Sequence, residues 1–268
     1  MEKFNFKLDK EKCVKCGLCA RDCSTKAIKI GDDGYPYSDK ECGFACQHCL
    51  AICPVGAISV YGKNSEESVK NENRPTAEQM ENLIKNRRSC RQYKRENVAS
   101  ETMEKLKDIL NWVPTGCNFK DLHFTIVEDY NKMDSIKEKV YAKLKFLIKY
   151  LPVKGRLKVY KSAILNGDDM IFRNAPHMIV VSVNKKAPCK DIDPTIALSY
   201  FELYANSLGL GTLWCGLAFG TLPMRKDVMK ELQIPKTHEM AYVMLFGYPE
   251  VEYKRAIQPD KYEITEIK

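Results

Sequence analysis

The chain has 268 residues, of which 44% are hydrophobic, enough apolar material for one large domain or two unequal ones. No run of about 18 apolar residues is present, and the opening MEKFNFKLDKEK holds no continuous apolar stretch. A cytoplasmic protein without a membrane segment or secretory signal is therefore expected. The formal charge of +8 is spread among acids without a long basic run, which predicts a solvated surface and no nucleic-acid or membrane partner.

Residues 1–62 form the first expected unit, because eight of the 12 cysteines lie before residue 54, while Cys90, Cys117, Cys189 and Cys215 are scattered singly. Cytosolic thiols stay reduced, so so many cysteines in one short segment point to a role other than disulfides. The run CVKCGLCARDC spaces Cys13, Cys16, Cys19 and Cys23 as C-x2-C-x2-C-x3-C. A second run, CGFACQHCLAICP, spaces Cys42, Cys46, Cys49 and Cys53 as C-x3-C-x2-C-x3-C-P. Zinc is usually held by two ligand pairs on separate knuckles, whereas three close thiolates and a following fourth suit the corners of a cubane. STKAIKI and PVGAISV, each after a fourth cysteine, read as a turn and a brief strand, so the two halves look like a duplicated unit of about thirty residues.

The spacing resembles that of bacterial ferredoxins with two [4Fe–4S] clusters, in which the fourth cysteine of each run ligates the other cluster. The resemblance implies one cluster on Cys13, Cys16, Cys19 and Cys53, and another on Cys42, Cys46, Cys49 and Cys23. Ser24 departs from the usual proline, and one extra residue widens the second run; neither removes a ligand. His48, between two ligands, is expected beside a cluster or in solvent rather than on iron. Residues 63–76, with KNSEESVKNENRP, contain almost nothing to bury and read as a linker.

From residue 77 to 268 the pattern changes to amphipathic helices and apolar strands. AEQMENLIKNRR places Met80, Leu83, Ile84 and Arg87 at helical spacing. The next helix is expected to start with Ser100 as N-cap and to bury Met103, Leu106, Ile109, Leu110 and Val113. SIKEKVYAKLKFLIKYL predicts a helix over 135–151 that stops before Pro152, and DPTIALSYFELYANSLGLG predicts one capped by Asp193, with Pro194 in its first turn, ending at Gly209. Strands are expected at 122–128, 177–183, 212–217 and 241–248. The alternation implies an α+β or α/β layer with a largely buried sheet.

RRSCRQY, residues 87–93, gathers three arginines and a serine at a helix end, which suits a phosphate but also merely complements a helix dipole. No G-x-G-x-x-G or Walker sequence occurs. Together with VPTGCNFKDLHFTIVED, FRNAPHMIVVSV, SLGLGTLWCGLAFG and LFGYPEVEYKRAI, this segment makes the chain resemble the nitroreductase family of flavoproteins over about residues 77–260. The resemblance implies an α+β sandwich, a central sheet flanked by helices, in an intertwined homodimer with FMN at the interface. Arg87, Arg88, Ser89 and Arg91 would hold the FMN phosphate. Pro114, Thr115, Gly116 and Asn118 would approach the flavin, commonly from the partner subunit, with Thr115 in place of the family's serine. After the turn Gly209–Gly211, the segment Leu213, Trp214, Cys215, Gly216 and Leu217 would run along the isoalloxazine ring. Arg255, with Lys254 as the alternative, would return to the phosphate.

FMN carries the chemistry in such proteins, so no catalytic side chain is expected. Cys117 and Cys215 read as small apolar residues, His123 and His177 as structural, and Trp214 as core or pocket wall. The expected activity is reduction of small electrophilic acceptors, such as nitroaromatics or quinones, with electrons relayed to FMN through two clusters from a redox-protein donor. A redox carrier or sensor read out by a protein partner, and an NAD(P)H-dependent reductase, are the alternatives.

Overall fold

The computed structural model describes residues 4–268, with residues 156 and 157 described by their backbone alone. The chain divides into two compact units: Met1–Arg74 with Cys117–Phe119, and Pro75–Gly116 with Lys120–Lys268. Among the described residues no helix is long and apolar enough to cross a membrane.

The first unit pairs β1 (Phe6–Leu8) with β4 (Ile58–Val60) and β2 (Ile28–Ile30) with β3 (Pro36–Ser38), both antiparallel. One-turn helices α1 (Leu18–Arg21) and α2 (His48–Ala51) carry the third cysteine of each run. The duplication is visible in the backbone. Lys15 and Ala45, Gly17 and Gln47, and Lys26 and Gly56, each pair thirty positions apart, all take positive φ, between 47° and 70°. The core is small: Cys19, Ile28, Leu50, Ile58 and Val60. Residues 63–74 fall within this unit. Ser65 Oγ donates to the Gly56 carbonyl at 2.9 Å, and Lys12 pairs with Glu66 at 3.2 Å.

The second unit is built on a four-stranded antiparallel sheet in the order β5 (Leu122–Val127), β6 (His177–Asn184), β8 (His238–Gly247), β7 (Gly211–Trp214). Alternation along the central strands sends residues to two faces. Met178, Val180, Val243 and Leu245 pack with Met133, Ile136, Val140 and Leu144 of α5 (Tyr130–Lys149) and with Ile164 of α6 (Arg156–Asn166). The same layer includes Ala218 of α8 (Gly216–Thr221) and Val228 of α9 (Lys226–Glu231). Ile179, Val181, Met244 and Phe246 pack on the other face with Met103 and Leu106 of α4 (Ser100–Ile109) and Leu198, Phe201 and Ala205 of α7 (Asp193–Ser207). With both faces covered, β6 reads as a continuous apolar run. Helix α3 (Ala77–Asn86) precedes α4 and opens with a reciprocal cap: Thr76 Oγ1 accepts from Gln79 N–H, and Gln79 Oε1 accepts from Thr76 N–H.

Three helix starts differ from the sequence expectation. Ser100 is the first residue of α4, and Ala99 stands at the N-cap without a side-chain cap. Val98 N–H donates to His177 Nε2 at 2.9 Å, which fixes the chain just before the helix. Asp193 is likewise inside α7 rather than capping it, and its carboxylate accepts from Gly116 N–H at 3.0 and 3.1 Å. Helix α5 begins five residues earlier than expected, at Tyr130, because Asp129 caps it and Met133 extends its buried stripe. The strand expected over 212–217 stops at Trp214, since Cys215 caps α8 with its sulfur on the Ala218 N–H. Ile109 is half-buried, whereas Met103, Leu106, Leu110 and Val113 are buried as expected.

Candidate cofactor sites

In the first unit the thiols surround two cavities. Cys13, Cys16, Cys19 and Cys53 line one, and Cys23, Cys42, Cys46 and Cys49 line the other. Each cavity therefore draws three thiols from one run and the last thiol from the other. Among the described residues no three His, Cys, Asp or Glu side chains converge on one ion position. Four thiols set around a void fit a polynuclear group rather than a single ion.

The left-handed residues at 15, 17, 45 and 47 turn each run so that successive cysteines face inward. Ala27 N–H donates to Cys23 Sγ and Ala57 N–H to Cys53 Sγ, both at 3.2 Å, so the crossing thiols are held alike. Burial pushes the Cys49 thiol up to about 11 and raises that of Cys19. Both thiols need a bound cationic centre to become thiolate ligands at neutral pH. Burial also acts against ionisation of Cys23, yet the Thr25 hydroxyl and the nearby backbone N–H groups hold its thiol below the ordinary value. His48 Nδ1 lies 3.2 Å from Asp22 Oδ2 and is exposed.

In the second unit three segments predicted to bind one group meet along the sheet edge. The stretch after α3 lies beside β7: Ser89 bridges Thr212 in parallel, and Cys90 N–H donates to the Thr212 carbonyl at 2.8 Å. Gly211 permits this approach, since a Cβ there would sit 2.6 Å from Cys90 Cβ. Beyond β8, Tyr93 bridges Pro249, and Glu250 N–H donates to the Gln92 carbonyl at 3.0 Å. Arg87, Arg88, Ser89 and Arg91 are thus strapped between β7 and the chain leaving β8. Arg88 Nη1 donates to the Arg87 carbonyl at 2.8 Å, while its buried Nη2 has no hydrogen-bond partner among the described residues. A buried guanidinium N–H without an acceptor calls for an oxygen anion, and a phosphate meets that demand.

Glu202, 8% exposed on α7, joins these segments from beneath. Its Oε1 accepts from Arg87 Nη1 at 3.3 Å and Thr212 Oγ1 at 3.1 Å, and its Oε2 from Trp214 Nε1 at 3.1 Å. The sequence reading missed it, although a carboxylate within the apolar stripe Leu198–Phe201–Ala205 was a signal. Leu213 and Trp214 end β7, and Gly216 and Leu217 open α8. Cys215 between them is buried. Its thiol, raised by that burial, donates to the Ile171 carbonyl at 3.2 Å.

Gly116 is tied to α7 through Asp193, and a Cβ on it would overlap Cys189 Sγ at 2.3 Å. Thr115 Oγ1 accepts from Lys120 N–H, and Pro114 is exposed. The stretch Cys117–Phe119 groups by its contacts with the first unit, where Asn118 Nδ2 donates to the Phe44 and Ala45 carbonyls at 2.9 and 3.1 Å. Arg255 is on the exposed stretch past Glu250, outside any regular element.

A helix-covered sheet with an arginine segment strapped to its edge strand, joined in one chain to a small unit of paired thiol cavities, defines a two-unit redox protein. Residues 84–248 match the nitroreductase family and residues 6–29 the 4Fe-4S binding domain. The chain belongs to the nitroreductase family and is a flavin oxidoreductase of that type carrying an iron–sulfur domain. It is 26% identical over 169 residues to an iodotyrosine deiodinase of Thermotoga neapolitana, covering 63% of this chain and 87% of that protein. An uncharacterised protein of Methanocaldococcus jannaschii is 38% identical over 66 residues, 24% of this chain and 25% of its own. The fold is shared with an FMN-bound nitroreductase of Desulfitobacterium hafniense (TM-score 0.58, 23% identity, 70% of this chain and 98% of that one). It is also shared with an FMN-bound nitroreductase of Bacteroides fragilis (TM-score 0.56, 21% identity, 70% and 98%).

Proposed function

We propose that the protein is an FMN-dependent reductase of small electrophilic acceptors, such as nitroaromatics or quinones, supplied with electrons through two [4Fe–4S] clusters in its N-terminal unit. The observation that carries the flavin half is the buried Arg88 Nη2 beside the edge strand, unpartnered among the described residues. The arrangement of four thiols around each of two cavities supports the other half.

Arg87, Arg88, Ser89 and Arg91 hold the FMN phosphate, with Arg255 closing on it. Leu213 to Leu217 lie along the ring, where Trp214 and Leu217 shape the wall. Pro114, Thr115, Gly116 and Asn118 approach the flavin across a homodimer interface. The domain division in this reading is 1–62 for the clusters, 63–76 for the linker and 77–268 for the flavin. FMN accepts and delivers electrons singly or in pairs, which suits a one-electron source and a two-electron acceptor. Glu202 fixes Arg87 and Trp214 in place, and Cys215 stays a protonated thiol that turns the chain from β7 into α8. No side chain is assigned a proton-transfer or nucleophilic step.

The test is flavin binding and donor choice. Native protein takes up FMN, and Arg88→Ala weakens that uptake by about tenfold or more, as loss of a charge-assisted phosphate contact does. Steady-state reduction of a nitroaromatic, a quinone and 3-iodo-L-tyrosine is then compared with reduced ferredoxin, NADH and NADPH as donors. Turnover with NADH or NADPH that survives removal of the clusters would replace the relay by a nicotinamide-dependent reductase.

A further inference from the structure

The two thiol cavities come from one duplicated motif, so the positions at which the repeats differ show what each does to its own site. Thr25 of the first repeat stands where the second has Val55, and Tyr61 of the second stands where the first has Gly31. Thr25 Oγ1 lies 3.5 Å from Cys23 Sγ, in addition to the Ala27 N–H on that sulfur. Cys53 Sγ accepts the equivalent N–H from Ala57, but the side chain at the matching position is an isopropyl group. A thiolate has no proton to give, so in the ligated state the Thr25 hydroxyl must be the donor.

Surroundings reinforce the difference. The cavity that Cys23 enters has apolar walls in Phe4, Ile28 and Val60 but adds Gln47, His48 and Tyr61, whose hydroxyl is taken by the Cys42 carbonyl at 2.8 Å. The cavity that Cys53 enters is lined by Leu8, Val14, Leu18, Val55, Ala57 and Ile58. Among the described residues, only the second site has a side-chain hydroxyl within reach of a ligand sulfur, in addition to the backbone N–H that both sites share.

One-electron reduction adds negative charge that spreads onto the sulfurs, and hydrogen bonds to those sulfurs raise the potential. We infer that the cluster held by Cys42, Cys46, Cys49 and Cys23 has the higher reduction potential of the two, and that Thr25 sets much of the difference. At equilibrium a single electron in the small unit would favour that site over the other. The inference rests on the two-cluster reading proposed above.

Full-length protein purified without oxygen is titrated with a low-potential reductant and followed by electron paramagnetic resonance, alongside Thr25→Val and Val55→Thr. These swaps preserve side-chain shape, and the spectra report each cluster without turnover. Native protein shows two one-electron midpoints. T25V lowers the upper midpoint by about fivefold in the equilibrium, roughly 40 mV at 59 mV per decade, and leaves the lower one in place. V55T raises the lower midpoint. About eight irons per chain with T25V and native titrations that superimpose, or a T25V shift confined to the lower midpoint, would overturn the inference alone. About four irons per chain would overturn the two-cluster reading and the inference with it.

Discussion

Gly211→Ala is the sharpest probe of how the arginine segment is held. A Cβ at position 211 would lie 2.6 Å from Cys90 Cβ, 2.7 Å from Cys90 Sγ and 3.5 Å from Pro249 Cβ. Ordinary carbon contacts fall between about 3.5 and 4 Å, so the segment carrying Cys90 must retreat by about 1 Å. That movement strains the Cys90 N–H bond to the Thr212 carbonyl and the Ser89–Thr212 bridge. Overpacking of a tight contact costs about 1–3 kcal/mol, and roughly 2 kcal/mol is expected here. By calorimetry on the full chain, the transition of the larger unit should fall by about 4–8 °C. FMN affinity should drop with it, because Arg87, Arg88, Ser89 and Arg91 move with Cys90. Cys90→Gly removes both clashing atoms, so the double variant should recover about 1–2 kcal/mol relative to additivity. A G211A protein as stable as native, or an additive cycle, would refute the contact as the reason for glycine.

Exchange of Cys23 for serine should remove the cluster signal of the Cys42–Cys49 run, and exchange of Cys53 that of the Cys13–Cys19 run; loss of the same signal in both would contradict the crossed cavities. His177 is fully buried, with Nε2 accepting from Val98 N–H and Nδ1 donating to the Val127 carbonyl, and burial lowers its pKa below 6.5. The unfolded chain therefore binds a proton that the folded one refuses. The stability this residue contributes is complete above about pH 6.5 and declines as pH falls below it, with a slope of at most about 1.4 kcal/mol per pH unit. Denaturant unfolding from pH 7.5 to 5 should show a shallower acid slope in His177→Asn, and equal slopes would remove His177 as the cause. Glu202→Gln sets an amide NH2 against either the Trp214 N–H or the Arg87 and Thr212 donors, costing about 1–3 kcal/mol. In a Trp112→Phe background the Trp214 emission should shift; an unchanged spectrum and unfolding midpoint would count against the hub.

The layered fold was largely legible because its signals are periodic. The buried strands β6 and β8 and the stripes of α4 and α5 follow from apolar spacing alone. The two cysteine runs were legible for a different reason: spacing within eleven or twelve residues is a local property. What escaped depended on distant partners. Asp193 reads as a helix cap until Gly116, 77 residues away, claims its carboxylate, and Ser100 as a cap until His177 fixes the preceding backbone. Glu202 gathers Arg87, Thr212 and Trp214 from three segments, so no window of sequence displays it. Helix α8 was missed because Cys215 ends the strand with its sulfur, a use of cysteine that composition does not announce.

The relay itself is tested most directly by anaerobic stopped-flow with the clusters reduced selectively and both chromophores followed. The account predicts that cluster bleaching is succeeded by loss of the oxidised flavin absorbance, and that the second phase disappears when Cys23 or Cys53 is exchanged for serine. Clusters that cycle while the flavin stays oxidised would contradict it.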